Sequence, residues 1–114
     1  VVLMLADALN ETGKPDDALA RLNEVRTRAG VPALGNLSQD EMRLALEQER
    51  RLEFLMEGDR WFDLVRRGRA EAVLNAFYTA NGKQSRVDPF ELIFPLPFSQ
   101  VTLKPDKLHQ NPGY

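Results

Sequence analysis

Hydrophobic positions near the start of the chain recur with the spacing of amphipathic helices. In the clearest stretch the apolar residues are three or four positions apart: Ala18, Leu22, Val25 and Ala29. Residues at this spacing lie on one face of a helix. Gly13 and Pro15 precede this stretch, and glycine just past one helix with proline at the start of the next is a common arrangement. The sequence therefore predicts two helices, Val1–Glu11 and Asp16–Ala29.

A well-defined helix start follows the loop expected at residues 30–36. Ser38 stands three residues before Glu41, and this spacing is that of a capping box, in which each residue bonds the backbone of the other. A long apolar stretch follows, and Gly58 is the first residue suited to end it. The pattern therefore predicts a helix over Gln39–Glu57.

This helix places acidic residues within an apolar face. A turn of 100° per residue brings one set of positions together: Met42, Ala45, Leu46, Glu49, Leu52, Glu53 and Met56. Leu44, Phe54 and Leu55 fall outside that face, so we expect a helix that is buried on several sides. A buried carboxylate is costly unless it is paired. Glu49 and Glu53 should therefore meet arginines or backbone N–H groups. The candidate arginines are Arg50 and Arg60 in the same stretch and Arg26 and Arg28 at the end of the preceding helix.

The rest of the chain predicts shorter elements. Helical patterns occur at about Arg60–Arg67 and Ala70–Ala80, and Phe90–Phe94 reads as a short extended run bounded by prolines. The residues after position 94 show little periodicity and should form an ordered, irregular tail, anchored by Phe98, Val101, Leu103 and Tyr114. The fold class is therefore mainly α. We expect one partial domain over residues 1–114, with a helix pair (1–30), a helical region (38–81) and an irregular, proline-rich tail (82–114).

Composition excludes several classes of protein. The net charge of −2 and pI near 5.4 give no electrostatic basis for binding nucleic acid. The chain has no cysteine, and its one histidine, His109, has no second ligand at metal-binding spacing, so neither a metal site nor a cofactor is predicted. No catalytic triad order, phosphate loop or dinucleotide glycine pattern occurs, so none of these three kinds of site is predicted.

Glu49, Glu53 and Glu57 recur every four residues and could suggest a pair of catalytic carboxylates. They share one helix among apolar residues, whereas acid–base catalysis needs a cleft and a partner that faces the substrate. Paired structural carboxylates are therefore the favoured interpretation.

Trp61, the only tryptophan, also has two interpretations. With Phe62 it could form a platform for stacking a sugar. However, Trp61, Leu64 and Val65 share helical spacing, which favours packing in the core. Trp61 thus remains a weak candidate for ligand binding.

The same stretch carries a family resemblance. It reads Glu49-Arg50-Arg51-x-Glu53-x-x-x-Glu57-Gly58-x-Arg60-Trp61-x-Asp63-Leu64-x-Arg66. This motif resembles the C-terminal signature of SusD/RagB-type nutrient-binding lipoproteins of Gram-negative outer membranes. Two further blocks agree, residues 23–30 and the tail from Phe94 to Tyr114. We expect the motif residues to be structural: Glu49, Arg50, Glu53, Glu57, Gly58, Arg60, Trp61 and Asp63.

The resemblance implies a cell-surface protein that captures glycans or other large nutrients and delivers them to a SusC-type TonB-dependent transporter. The implied function is binding and delivery, not catalysis. It implies a lipid anchor on a segment upstream of this chain, and the apolar, uncapped start at Val1–Ala6 likewise suggests the C-terminal portion of a longer protein. Glycan contacts in the family generally lie upstream, so this segment should act mainly as scaffold.

The first helix pair resembles one tetratricopeptide-type repeat, which the SusD-like family contains. A single copy cannot bury its own apolar face and must stack on other helices. An alternative class is therefore an intracellular helical-repeat module that binds peptides, and further repeats upstream without an export signal would favour it. A glycoside-processing enzyme is a third class, for which the chain offers no site.

Overall fold

A computed structural model describes all residues, 1–114, and every regular element in it is helical. The elements are α1 (Val2–Glu11), α2 (Pro15–Arg28), α3 (Gln39–Glu53), α4 (Arg60–Arg66), α5 (Ala70–Ala80), a 3₁₀ helix (Pro89–Leu92) and α6 (Phe98–Leu103). The mainly α fold class predicted from the sequence is therefore confirmed. The chain divides into two compact units, Val1–Arg60 and Trp61–Tyr114.

The turn between α1 and α2 forms as its residue types dictate. Gly13 adopts φ of +75°, a left-handed conformation that glycine reaches without a steric penalty. The amide of Lys14 then donates to the carbonyl of Leu9 at 2.9 Å, which satisfies an orphan group at the end of α1. Pro15 occupies the first turn of α2, where its missing N–H costs nothing.

The core of the first unit lies where α1, α2 and α3 meet. It consists of seven buried apolar residues: Leu3, Ala6, Ala18, Leu22, Val25, Met42 and Leu46. The side chains of Ala6 and Ala18 are small, which allows α1 and α2 to pack closely along each other. Ala29, predicted to extend the stripe of α2, is exposed because the helix ends at Arg28.

The predicted start of α3 is confirmed in its chemistry. The Ser38 hydroxyl accepts from the amide of Glu41, and the amide of Ser38 donates to the Glu41 carboxylate at 2.8 Å. The Ser38 hydroxyl also donates to that carboxylate at 2.6 Å. The hydrogen bond from the Ser38 hydroxyl, and then that from its amide, hold the pKa of Glu41 below its usual value.

The predicted end of α3 is wrong. The helix stops at Glu53, four residues before Glu57, and Met56 adopts φ of +73° in the turn that follows. Turn hydrogen bonds replace the helical ladder here, as the amide of Glu57 donates to the carbonyl of Phe54 at 3.1 Å. The expectation of a helix buried on several sides is also wrong, because four apolar residues of the predicted range Gln39–Glu57 are exposed: Leu44, Leu52, Leu55 and Met56.

In the second unit, α4 passes into α5 through Gly68, and Leu64 and Ala70 are buried. Asn75 of α5 fixes the next segment, since its side chain accepts from the amide of Val87 at 2.7 Å and donates to the Val87 carbonyl at 3.1 Å. Val87 is buried.

The extended run predicted at Phe90–Phe94 is wrong in its first part, which forms the 3₁₀ helix. Asp88 and Glu91 make a second capping box around Pro89, and that proline suits the first helical position. The capping residues could have been recognised in the sequence, but the apolar residues of the run Phe90–Phe94 favoured a strand.

The tail is held mainly by polar groups. The Gln110 side chain accepts from the amide of Leu96 at 2.7 Å and donates to its carbonyl at 2.8 Å. Asn111 donates to the carbonyl of Phe94 at 2.7 Å. Within the tail α6 is regular helix, and its Phe98 and Leu103 are exposed instead of anchoring the segment.

The core of the first unit predicts a strong contrast between two leucines of α3. Leu46 is fully buried, whereas Leu44 is 51% exposed. Leu46→Ala should lower the free energy of unfolding by about 2–5 kcal/mol, because it removes buried methyl groups and leaves a cavity. Leu44→Ala is the matched control and should change it by less than about 0.5 kcal/mol. Urea unfolding followed by circular dichroism measures both, and equal losses would contradict this assignment of the core.

The capping box predicts a titration that depends on one hydroxyl. The lowered pKa of Glu41 means that its contribution to stability is present above the unfolded value of about 4.3 and is lost as pH falls through the folded value. Ser38→Ala should move the Glu41 titration midpoint, measured by carbon-13 NMR, upward toward that value. Ser99→Ala removes a hydroxyl that is no part of this capping box and should leave the midpoint unchanged. A Glu41 midpoint at about 4.3 in the unaltered chain would contradict the prediction.

Candidate functional site

The signature motif forms ion pairs between α2 and α3 in the first unit. Glu49 is 5% exposed, and its carboxylate receives Nη1 of Arg26 at 2.7 Å. The same guanidinium donates from Nε to the carbonyl of Pro32 at 2.9 Å. The expected pairing of a buried carboxylate with an arginine of the preceding helix is confirmed for Glu49. One side chain of α2 thereby fixes both α3 and the loop that leads to it.

Glu53 pairs with Arg28, one of the four candidate arginines, but in a more open position. The Arg28 side chain is mostly exposed and Glu53 is half-buried. Glu53 was expected to be buried, and its exposure follows from the early end of α3. Water screens the attraction in this pair, so breaking it should change the free energy of unfolding by little.

Arg60 finds a partner that the motif analysis missed. Its Nη2 lies 3.1 Å from the carboxylate of Glu47, which is buried. Glu47 lies outside the apolar face that was built around Glu49, so the helical projection gave no reason to select it. The signal available in the sequence was Arg60 itself, since a partly buried arginine requires an acid.

The remaining motif residues have separate surroundings. The guanidinium carbon of Arg50 lies 5.1 Å from the centre of the Phe54 ring, a cation–π distance. Glu57 and Gly58 lie in the exposed turn after α3, so Glu57 does not share the buried position of Glu49. In the second unit Asp63 is buried, and its carboxylate lies 2.9 Å from Nη2 of Arg66.

The first unit contains an apolar cleft of about 460 Å³. Its lining consists of Val1, Val2, Leu3, Val25 and Phe54, with Glu24, Arg28 and Glu53 beside them. Arg28 and Glu53 neutralise each other there. The cleft therefore offers apolar surface and few polar groups for fixing the orientation of a ligand.

The second unit contains a cleft of a different chemical character. Its volume is about 340 Å³, and its lining consists of Trp61, Tyr78, Arg86, Val87, Glu91, Phe94 and Tyr114. The Trp61 and Phe94 rings stack with centroids 6.1 Å apart and planes 25° apart. Trp61 is half-buried, so it does not lie fully inside a core as its helical spacing favoured. We call these seven residues the aromatic cleft.

Neither a cluster of metal ligands nor a membrane-spanning helix occurs in the described chain. No group of three or more His, Cys, Asp or Glu residues is arranged to hold a metal ion. The helices are also all too short or too polar to cross a bilayer. The three glutamates of the motif, Glu49, Glu53 and Glu57, do not converge on either cleft as a set, since only Glu53 lines one.

Comparison with known proteins gives consistent matches over the full chain. The sequence profile of the SusD family (SusD_RagB) matches residues 1–114. Three SusD-like proteins of Formosa agariphila align with the whole chain: P38 at 36% identity, P25 at 31% and P2 at 28%. The chain spans 23% of the length of P38 and P25 and 24% of that of P2.

The buried pair predicts that losing one partner costs more than losing both. Arg26→Met leaves the Glu49 carboxylate buried without its guanidinium and should lower the free energy of unfolding by about 3 kcal/mol. The double variant Arg26→Met/Glu49→Leu should recover part of that loss, because no buried charge remains. Arg21→Met is the control, since it breaks the exposed pair with Glu24 and should cost less than about 1 kcal/mol. Additive losses in a urea-unfolding cycle would contradict a coupled, desolvated pair.

Proposed function

This chain belongs to the SusD family, and we propose that it forms part of a cell-surface protein that binds glycans or other large nutrients for uptake. The observation that carries the proposal is the family match across all 114 residues. Because the chain spans only about a quarter of its relatives' length, the proposal concerns the longer protein to which such a segment belongs.

We further propose that the longer protein is an outer-membrane lipoprotein, anchored through a lipidated segment outside residues 1–114. Its partner would be a SusC-type TonB-dependent transporter, and its ligand an oligosaccharide or a nutrient of similar bulk. The proposed role is binding and delivery, without catalysis. The family match and the order of the motif blocks support this role over that of an intracellular peptide-binding module.

Within that protein we propose that this segment acts mainly as scaffold. Support comes from the use made of its charged residues, since Arg26, Arg28 and Arg60 are engaged with carboxylates of α3. Charges matched in this way fix helix positions, and they are not available to a ligand. The motif residues of the first unit then specify the fold.

Isolation of the longer protein from its native membrane tests the proposal. We expect the protein in the outer-membrane fraction, released by detergent together with a TonB-dependent transporter, and retained in affinity electrophoresis on at least one polysaccharide. Arg26→Met should lower the amount of folded protein but leave the ligand dissociation constant of the folded fraction unchanged. A soluble intracellular protein with no associated transporter would overturn the proposal.

A further inference from the structure

We propose that the aromatic cleft of the second unit is a subsite for one neutral sugar ring of an oligosaccharide. The class of ligand, a glycan, rests on the proposed function. The location of the subsite rests on the chemistry of the residues that line the cleft. Several polar and aromatic groups line this cleft without using all of their binding capacity on the protein itself.

The aromatic groups supply a flat apolar surface. Phe94 is 60% exposed and Trp61 is half-buried, so parts of both rings remain accessible in the cleft. Phe62 contacts Phe94 edge-on, with centroids 6.3 Å apart, and supports it from the side. A pyranose ring carries a patch of C–H groups on its face, and such a patch is well suited to contact an aromatic surface.

The polar groups supply both donors and acceptors. Arg86 is exposed and contributes guanidinium N–H groups. Glu91 accepts from the amide of Asp88 through Oε2 at 2.8 Å, and its second oxygen keeps its acceptor capacity. A sugar hydroxyl both donates and accepts, so adjacent hydroxyls can bind a guanidinium and a carboxylate together. The opposite charges of Arg86 and Glu91 favour a neutral ligand over an anionic one.

The walls of the cleft are held in place by hydrogen bonds. Asn75 fixes the backbone of Val87 on one side. Asn111 fixes the carbonyl of Phe94, and the Tyr114 hydroxyl donates to the carbonyl of Ile93 at 3.1 Å. A site that is already ordered loses less conformational entropy on binding. These contacts therefore favour recognition by a preformed surface.

The size of the cleft limits the ligand. At about 340 Å³ it lies near the lower end of the range of roughly 300–1,000 Å³ for small-molecule sites. The cleft therefore has the size expected for a single sugar ring with its substituents. The subsite would therefore add to the affinity of a longer glycan held mainly elsewhere, through effective concentration.

Trp61, as the only tryptophan, reports on this site directly. The chain is titrated with neutral oligosaccharides of glucose, xylose, mannose and galactose, and Trp61 fluorescence is followed. We expect a saturable change with at least one of them. Phe94→Ala and Arg86→Ala should each weaken that binding by about tenfold, which corresponds to the loss of one stacking contact or one charge-assisted hydrogen bond.

The matched control is Phe98→Ala, which removes an aromatic side chain that is 80% exposed and is not part of the cleft lining. This variant should bind as the unaltered chain does. Circular dichroism confirms that each variant is folded, and Arg86→Ala, at an exposed position, provides a test even if Phe94→Ala is unstable.

Two results would overturn the subsite. One is a titration with no saturable change for any sugar, or with a change that Phe94→Ala and Arg86→Ala leave intact. The other is complete protection of Trp61 from acrylamide in the longer protein without sugar, which would mean that polypeptide fills the cleft.

Glycan binding by the longer protein that survives Arg86→Ala unchanged would remove the subsite only, whereas absence of a transporter partner would remove the proposed function only.

Discussion

The pairing of Glu49 with Arg26 is the contact on which the first unit depends. Glu49 lies beside a core of only seven buried apolar residues, so an unpaired charge there would cancel a large part of what burial contributes. The two residues are 23 positions apart in sequence, and their contact sets the placement of α2 against α3. Because Arg26 also binds the carbonyl of Pro32, the loop between the two helices is fixed by the same side chain.

Ion pairs of this kind specify an arrangement more than they stabilise it. Desolvating both charges costs several kcal/mol, which the attraction between them only roughly offsets. Their value lies in the alternatives they exclude, since any shift of α3 along α2 would leave Glu49 without its guanidinium. The Glu47–Arg60 pair adds a second condition of the same kind within the first unit. Each of the two pairs thus ties the position of α3 to an arginine from another part of the first unit.

The features that could be predicted from the sequence are those decided by neighbouring residues. The capping box at Ser38 and the glycine–proline turn before α2 depend on a few adjacent residue types, and both appear as expected. The end of α3 could not be predicted in this way. Leu55 and Met56 continue the apolar pattern of the helix, but the helix ends at Glu53, so the pattern of neighbouring residues does not decide where it stops. Periodicity also placed Trp61 in the core, but its burial depends on the residues that surround it, and the tail supplies only Phe94 as a stacking partner. The partner of Arg60 could not be predicted from the apolar face of α3, because Glu47 lies outside that face.

The two clefts differ in how far their charged groups are already paired within the protein. In the first unit Arg28 and Glu53 are paired, so the apolar surface between Val2 and Phe54 has little polar chemistry left for selecting a ligand. In the aromatic cleft the Glu91 carboxylate is held by one backbone amide and keeps an oxygen for another donor, while Arg86 extends into solvent. Evolution of a new specificity needs side chains that can change without disturbing the fold. Arg86 meets that condition and Arg26 does not, because Arg26 links two helices and a loop.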